Sequence, residues 1–122
     1  GDGTCVRIEN QLPILFASGK ANLVKEYKSF LRKLARFLKP YDVRVIVEGY
    51  ADTDPIHTAR YPSNFELGAT RAANIVHELV KNGLKPSVFK IGSTGEYRFQ
   101  AKKPLKRKLL ERRAQVSVIF SG

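Results

Sequence analysis

The feature that most constrains the fold is a strand-like run from Val43 to Tyr50, which has a helical pattern on each side. Valine and isoleucine dominate the run and alternate in part with Arg44 and Glu48. Such β-branched residues are enriched in strands, and a nearly continuous apolar run predicts a central position in a sheet. A strand reached and left through helices needs crossover connections, which favour parallel neighbours and place both helices on one face.

The two flanking segments have the three-and-four spacing of apolar residues that is typical of amphipathic helices. The first is predicted from Asn22 to Leu38, before Pro40. The second is predicted from about Ser63 to Lys81, with Ser63 or Asn64 as its N-cap. Glu66 lies near the third position of its capping box, and Asn82-Gly83 forms its C-terminal stop. The predicted inward-facing residues are Leu23, Tyr27, Phe30, Leu31, Leu34, Phe37 and Leu38 in the first helix, and Leu67, Ala72, Ala73, Ile75, Val76, Leu79 and Val80 in the second.

Three further strands complete the predicted fold. One covers residues 5–16 with an interruption at Pro13, one begins near Val88, and the last is Gln115 to Phe120. The order β-α-β-α-β-β predicts an α+β fold, a four-stranded mixed sheet with two long helices on one face. The charged segment 102–113 is expected to form a loop with a short helix around Leu105–Leu110. A length of 122 residues suits one domain, 1–122, which is either mature or a fragment of a larger protein.

The net charge is +11, which predicts attraction to polyanions such as nucleic acid, anionic lipid headgroups or a carboxylate-rich cell wall. Charge alone does not choose among them. Cys5 is the only cysteine, so an internal disulfide is excluded. With only two histidines beside it, a structural zinc site is also excluded. No cofactor or metal is expected.

A candidate pocket lies where the central strand ends. Asp52 and Asp54 occupy the polar loop after the strand, and Arg71 lies in the first turns of the second helix. A carboxylate after the strand and a guanidinium near the start of the helix would give the pocket one negative and one positive charge. Such a pocket suits a zwitterionic ligand. The alternative for Arg71 is an ordinary surface charge that pairs with Glu66 or Asp52.

An ordered set of motifs over nearly the whole chain resembles the OmpA-like peptidoglycan-binding domain. The motifs are Gly49-Tyr50-Ala51-Asp52, Asn64, Leu67, Arg71-Ala72, Gly83, the glycine loop Gly92 to Tyr97 and the closing segment Glu111 to Ile119. The chain departs from the family pattern at four positions: Ala51 for threonine, Gly68 for serine, Glu111 for asparagine, and Gln115 for a charged residue.

Finer motifs are similar to the flagellar stator branch of this family, MotB and PomB. They are Asp52 to Ile56, Tyr61 to Leu67 and Leu15 to Ala21. The same motifs occur in the OmpA-like tails of type VI secretion anchors, so this alternative stays open, as does an OmpA- or Pal-type outer-membrane protein.

The resemblance implies that the ligand is the diaminopimelate residue of the peptidoglycan stem peptide. Arg71 would bind the ligand carboxylate and Asp52 the ammonium, while Asn64 would donate and accept hydrogen bonds at once. Thr53 and Leu67 would shape the wall. Arg113 would line the site, and Arg112 can exchange with it.

The function implied is non-catalytic anchoring of a membrane complex to the cell wall, from the periplasm, in a flagellar stator. The resemblance also implies a homodimer and a membrane-embedded stator partner subunit, bound through an N-terminal part outside this sequence. Glycan hydrolysis by a pair among Glu48, Asp52, Asp54 and Glu66 is disfavoured, because the chain is strongly basic and lacks signs of a long substrate cleft. Nucleic acid is not an expected partner, because the basic tract 102–113 matches no common binding motif.

Overall fold

The structure, a computed structural model, describes residues 6–9, 14–51, 61–93 and 112–121. Its elements follow the predicted order, with the first strand in two pieces. The strands are β1 (Val6–Glu9), β2 (Ile14–Leu15), β3 (Val43–Gly49), β4 (Phe89–Ser93) and β5 (Arg113–Phe120), and the helices are α1 (Lys25–Leu38) and α2 (Asn64–Lys81). A short 3₁₀ turn, Pro86–Val88, leads into β4.

The sheet has the order β1-β5-β3-β4, with β2 pairing to β5 beyond β1. β3 runs parallel to β4 and antiparallel to β5, so it has a partner on each side and its predicted central position is confirmed. β1 is also antiparallel to β5. The crossover through α1 therefore joins two strands of the same direction, but β5 lies between them. The strand order therefore depends on where β5 is inserted, and the pattern of residues within one segment does not predict that position.

The core lies between the sheet and the two helices. Val45 and Val47 of β3 are completely buried, and Ala114, Val116 and Val118 of β5 continue the same layer. The helices cover this layer with a set of buried side chains: Leu31, Ala35 and Leu38 of α1, and Ala72, Ile75, Val76 and Leu79 of α2. The predicted mixed sheet with two helices is confirmed.

The stripe predicted for α1 was wrong at one position. Phe37 is 60% exposed, whereas Ala35 is fully buried. Each residue turns the helix by about 100°, so the side chain of Phe37 points about 100° away from that of Leu38 and faces outward. The Phe37 ring instead lies 5.8 Å from the ring of Tyr41, centroid to centroid. In α2, Ala73 and Val80 are half-buried rather than fully inward.

The ends of α2 follow the capping rules, whereas α1 begins without a side-chain cap. α1 begins at Lys25 rather than Asn22, because Val24 is still extended and serves as the N-cap. α2 begins after Ser63, as predicted, and Asn82 is its C-cap. Gly83 has a φ of +116°, and Leu84 N–H donates to Leu79 O, which closes the last turn in the manner of a Schellman motif.

Candidate functional site

Arg71 is the centre of the candidate site, and it is completely buried. Its Nε donates to Lys20 O at 2.8 Å, its Nη1 to Tyr50 O at 2.8 Å and its Nη2 to Ala17 O at 3.1 Å. The guanidinium carbon lies 5.0 Å from the centroid of the Phe16 ring. The planar fork of an arginine supplies donors in several directions at once, which an ammonium group does not. Arg71 thus joins α2 to the end of β3 and to the segment before α1, and burial rules out the surface-charge alternative.

The N-terminus of α2 holds two more predicted site residues. Ser63 accepts a hydrogen bond from Phe65 N–H at 3.3 Å, and its hydroxyl is also hydrogen-bonded to the carboxylate of Glu66. Asn64 is 3% exposed and Leu67 is 2% exposed. Leu67 packs in a small cluster with Ala21, from the segment before α1, and with Ala51 and Tyr61, from the connection between β3 and α2. The predicted cap therefore places Asn64 and Leu67 on the inner side of the first turn, near Arg71.

A glycine pair sets the distance between α2 and β3. A Cβ atom at Gly49 would lie 1.8 Å from the carbonyl oxygen of Gly68, so the two backbones touch at this point. A Cβ atom at Gly68 would lie 2.5 Å from Ser93 Oγ, which donates to Phe65 O at 2.8 Å. The departure from serine at position 68 thus leaves room for the Ser93 hydroxyl. This close approach brings the first turns of α2 against the end of β3.

Arg113 lies beside Tyr50. Its guanidinium carbon is 3.9 Å from the centroid of the Tyr50 ring, and Tyr50 N–H donates to Arg113 O at 2.8 Å. The Tyr50 hydroxyl donates to Glu48 Oε2 at 3.3 Å. Burial and then the neighbouring Glu48 carboxylate raise the pKa of Tyr50, and the Arg113 charge opposes part of that rise. Tyr50 therefore contacts both arginines, Arg71 through its carbonyl and Arg113 through its ring.

Sequence reasoning missed Tyr50 as a site residue, although it stands in the motif Gly49-Tyr50-Ala51-Asp52. The position of its ring could have been predicted from the alternation of side chains along β3, which places position 50 on the same face as Glu48. The carbonyls of Ala17 and Lys20 carry no such signal, because main-chain acceptors are the same in every residue.

Several predictions concern residues outside the described part of the chain. They are Asp52, Thr53, Asp54, the helix around Leu105–Leu110, and the part of the glycine loop after Ser93. Of the predicted set, Asn64, Leu67 and Arg71 lie together on the buried side of the first turns of α2, whereas Arg113 packs on the Tyr50 ring, on the side of Glu48. Within the described ranges no group of three or more His, Cys, Asp or Glu residues is arranged to hold a metal ion. None of the helices described has the length and apolar character needed to cross a membrane.

The model of the OmpA family matches residues 15–114, most of the chain. Among curated proteins, the uncharacterized protein YtxE of Bacillus subtilis is 35% identical over 77 residues, 63% of this chain and 32% of that protein. Motility protein B of Helicobacter pylori J99 is 24% identical over 96 residues, 76% of this chain and 37% of that protein. The chain thus spans about a third of the length of the curated relatives that it matches.

Solved structures share the fold. The C-terminal domain of Helicobacter pylori MotB has a TM-score of 0.77 at 19% identity, covering 93% of this chain and 89% of that one. The cell wall anchor of the type VI secretion system of Pseudomonas aeruginosa has a TM-score of 0.72 at 28% identity, covering 96% and 81%. The peptidoglycan-associated lipoprotein of Burkholderia pseudomallei has a TM-score of 0.70 at 20% identity, covering 87% and 88%.

Proposed function

Because this chain belongs to the OmpA family, we propose that it binds peptidoglycan non-covalently, through the diaminopimelate residue of the stem peptide. The observation that carries the proposal is the buried guanidinium of Arg71, which three main-chain carbonyls orient at the exit of β3. Asp52 follows Tyr50 by two positions in the sequence. A positive and a negative group at one strand exit suit a ligand carbon that carries both an ammonium and a carboxylate.

Each proposed site residue has one task. Arg71 binds the ligand carboxylate. Because its side chain is already fixed by hydrogen bonds, little conformational entropy is lost when the ligand binds. Asp52 accepts from the ligand ammonium, and Asn64 donates and accepts beside it. Thr53 and Leu67 form the wall. Arg113 is the residue that β5 is proposed to contribute to the site, and its guanidinium packs on the Tyr50 ring.

The proposed role is binding without catalysis. Of the described carboxylates near the site, Glu66 is hydrogen-bonded to Ser63 and Glu48 to Tyr50. A glycosidase needs one carboxylic acid with a raised pKa and one ionised carboxylate at a set separation across the substrate. Release of soluble fragments from peptidoglycan incubated with this chain would contradict the proposal.

We further propose that the domain anchors a flagellar motor stator from the periplasm, as a homodimer, with a membrane-embedded partner subunit. The match to motility protein B and the fold shared with MotB domains support this choice. The type VI secretion anchor, at 28% identity, supports the second candidate, an anchor for that system. In the parent gene, a stator is expected to carry a membrane helix with an intramembrane aspartate ahead of this domain.

The test is binding to purified sacculi at about 0.5 M salt, where the screening length falls below ~10 Å and non-specific attraction of the basic chain is weak. Asp52→Asn removes the carboxylate charge with little change of shape and is expected to reduce binding about tenfold or more. Asp42→Asn is the matched control, because Asp42 is exposed and lies before β3, at the opposite end of that strand. Free diaminopimelate should compete with the wild-type chain. If the sacculi retain Asp52→Asn as well as they retain Asp42→Asn, the pocket at Asp52 and Arg71 is not the anchor.

A further inference from the structure

Positive charge dominates the exposed face of α1. Between Glu26 and Asp42 the sequence contains no acidic residue. The cationic residues of this stretch are all exposed: Lys28, Arg32, Lys33, Arg36 and Lys39. Charges of one sign that lie within a Debye length of about 8 Å of one another add to a common electrostatic potential. This face of the helix therefore attracts an anionic surface.

Two large aromatic side chains are exposed next to these charges. Phe37 is 60% exposed and Tyr41 is 52% exposed. Their ring centroids are 5.8 Å apart, and the Tyr41 ring makes an edge contact with the ring of Phe120, at 5.6 Å and 83°. The three rings form a row from α1 to the last residue of β5. Because the folded domain leaves much of this apolar area in water, the row is available for contact with an apolar phase.

The charges and the rings share one side of α1. Lys33 precedes Phe37 by four residues, so the two side chains lie one turn apart on the same face. Arg36 points about 100° away from Phe37, and both are exposed. Lys33, Arg36, Phe37 and Tyr41 are named here the basic-aromatic surface. Aromatic residues flanked by lysine and arginine are typical of segments that lie in the interface of a bilayer.

An anionic bilayer fits this surface better than the other candidate partners. A second copy of the same face would present the same positive charges, and like charges repel at an interface. A polyphosphate chain would balance the charges but offers no apolar phase for the ring of Phe37. Anionic phospholipids supply both, because their phosphates attract the cations and their acyl chains receive the ring.

The basic-aromatic surface lies far from the site at Arg71. Tyr41 lies two residues before β3, whereas Tyr50, whose carbonyl binds Arg71, directly follows its end. The seven residues of β3 place roughly 20 Å between the two. Val6 pairs with Phe120, so β1 begins at the aromatic end of the sheet. A membrane helix ahead of the domain would approach from this same end, a point that rests on the proposed function.

We propose that the basic-aromatic surface binds the surface of an anionic phospholipid bilayer. The ring of Phe37 enters the boundary between headgroups and acyl chains, and Lys33 and Arg36 bind lipid phosphates. The site at Arg71 is then directed away from the bilayer, so the domain can contact a membrane and peptidoglycan at the same time. This interaction goes beyond the proposed function, because it uses a different surface and a different partner.

The first test is flotation of the chain with vesicles at about 0.15 M salt. The wild-type chain should bind vesicles of phosphatidylglycerol and phosphatidylcholine, and it should not bind vesicles of phosphatidylcholine alone. Lys33→Gln combined with Arg36→Gln should weaken the binding about tenfold or more. Lys25→Gln combined with Lys90→Gln is the matched control, because it removes the same charge from exposed positions outside the basic-aromatic surface.

The second test uses the absence of tryptophan from the sequence. Phe37→Trp introduces a single indole, whose emission should shift to the blue when the ring leaves water for the interface of the anionic vesicles. Ile91→Trp is the control, because Ile91 is 47% exposed but lies on β4, and its emission should not change. Phe37→Ala should weaken vesicle binding about fivefold or more, because it removes apolar area from the contact.

The outcomes separate this proposal from the proposed function. Equal weakening by the two double variants, vesicle binding without a blue shift of Phe37→Trp, or no vesicle binding at all would each overturn the membrane surface. Retention by sacculi is measured without lipid and would still support the site at Arg71. A blue shift together with weakening by only the Lys33 and Arg36 variant would support the membrane surface, even if sacculi do not retain the chain.

Discussion

Replacement of Arg71 by alanine is the change whose cost the structure defines best. The side chain is fully buried, and its three hydrogen bonds to main-chain carbonyls connect α2 with two other segments. Alanine would remove these bonds, leave the carbonyls of Ala17, Lys20 and Tyr50 without this donor, and open a cavity beside Phe16. We expect the variant to lose roughly 3–5 kcal/mol of its free energy of unfolding.

The magnitude follows from two opposing contributions. A hydrogen bond with a charged partner contributes about 1.5–3 kcal/mol, so three of them would suggest well above 5 kcal/mol. The buried guanidinium has, however, already lost its hydration, and its removal recovers part of that cost. The segment before α1 can also relax and hydrate its carbonyls in the variant. The loss of the bonds still prevails, because the variant gives up three hydrogen bonds from a charged donor and leaves a cavity in place of a fully buried side chain.

The assay is urea unfolding, with thermal unfolding in parallel. For a domain of this size the expected loss corresponds to a fall in Tm of roughly 10–20 °C. Arg71→Lys should fall between wild type and Arg71→Ala, because an ammonium group keeps the charge but not the planar fork. Arg32→Ala, at an exposed position of α1, is the matched control and should stay within about 0.5 kcal/mol of wild type. A stability of Arg71→Ala within about 1 kcal/mol of wild type would refute this account of the site.

This prediction affects how ligand binding is tested. A variant that loses the frame around Arg71 would also lose the geometry of the pocket, so weakened binding by Arg71→Ala would not identify a ligand contact. The substitution Asp52→Asn is therefore the sharper probe of recognition, with Asp42→Asn beside it.

Two further predictions concern the end of β3. Gly49→Ala should destabilise the domain by about 3 kcal/mol or more, because the new Cβ would lie 1.8 Å from a main-chain oxygen of the packed helix. Gly68→Ala should cost clearly less than Gly49→Ala, because its shortest contact is with Ser93 Oγ, which can rotate away, its main-chain contact with Gly49 O is 3.1 Å rather than 1.8 Å, and alanine favours the helix by about 1 kcal/mol. Equal losses in urea unfolding would contradict the glycine contact. The raised pKa of Tyr50 means that the folded state favours the neutral phenol, so its contribution is complete below pH about 10 and is lost as pH rises through the folded pKa. Tyr50→Phe should therefore lose less stability than wild type above pH about 10, and identical alkaline losses would contradict the environment described for this ring.

Much of the fold could be predicted because its signals are local. The β-branched run of β3, the serine cap of α2 and the Asn82-Gly83 stop are properties of neighbouring residues, and all three are present in the structure. The α1 stripe was less accurate: Phe37 was predicted inside and lies outside. Phe37 is large and apolar and lies next to the buried stripe of α1. The sequence does not show that it lies outside this stripe, because that depends on the surface against which the helix packs.

The candidate site was predicted only as a set of side chains. Arg71, Asn64 and Leu67 were found from their motif, and all three are buried together at the start of α2. The sequence did not predict that Arg71 also forms hydrogen bonds to the main chain of two distant segments, because every residue offers the same carbonyl acceptor.

By itself, the sequence determined which of the described segments are helices and strands, and where α2 begins and ends. These features depend on periodicity and capping within one or two turns of chain. The tertiary structure alone decided that β5 lies between β1 and β3, that Gly49 touches Gly68, and that Arg71 and Asn74 bind the carbonyls of Lys20 and Ala21. Those features join residues that are distant in the sequence, so only the packed fold brings them into contact.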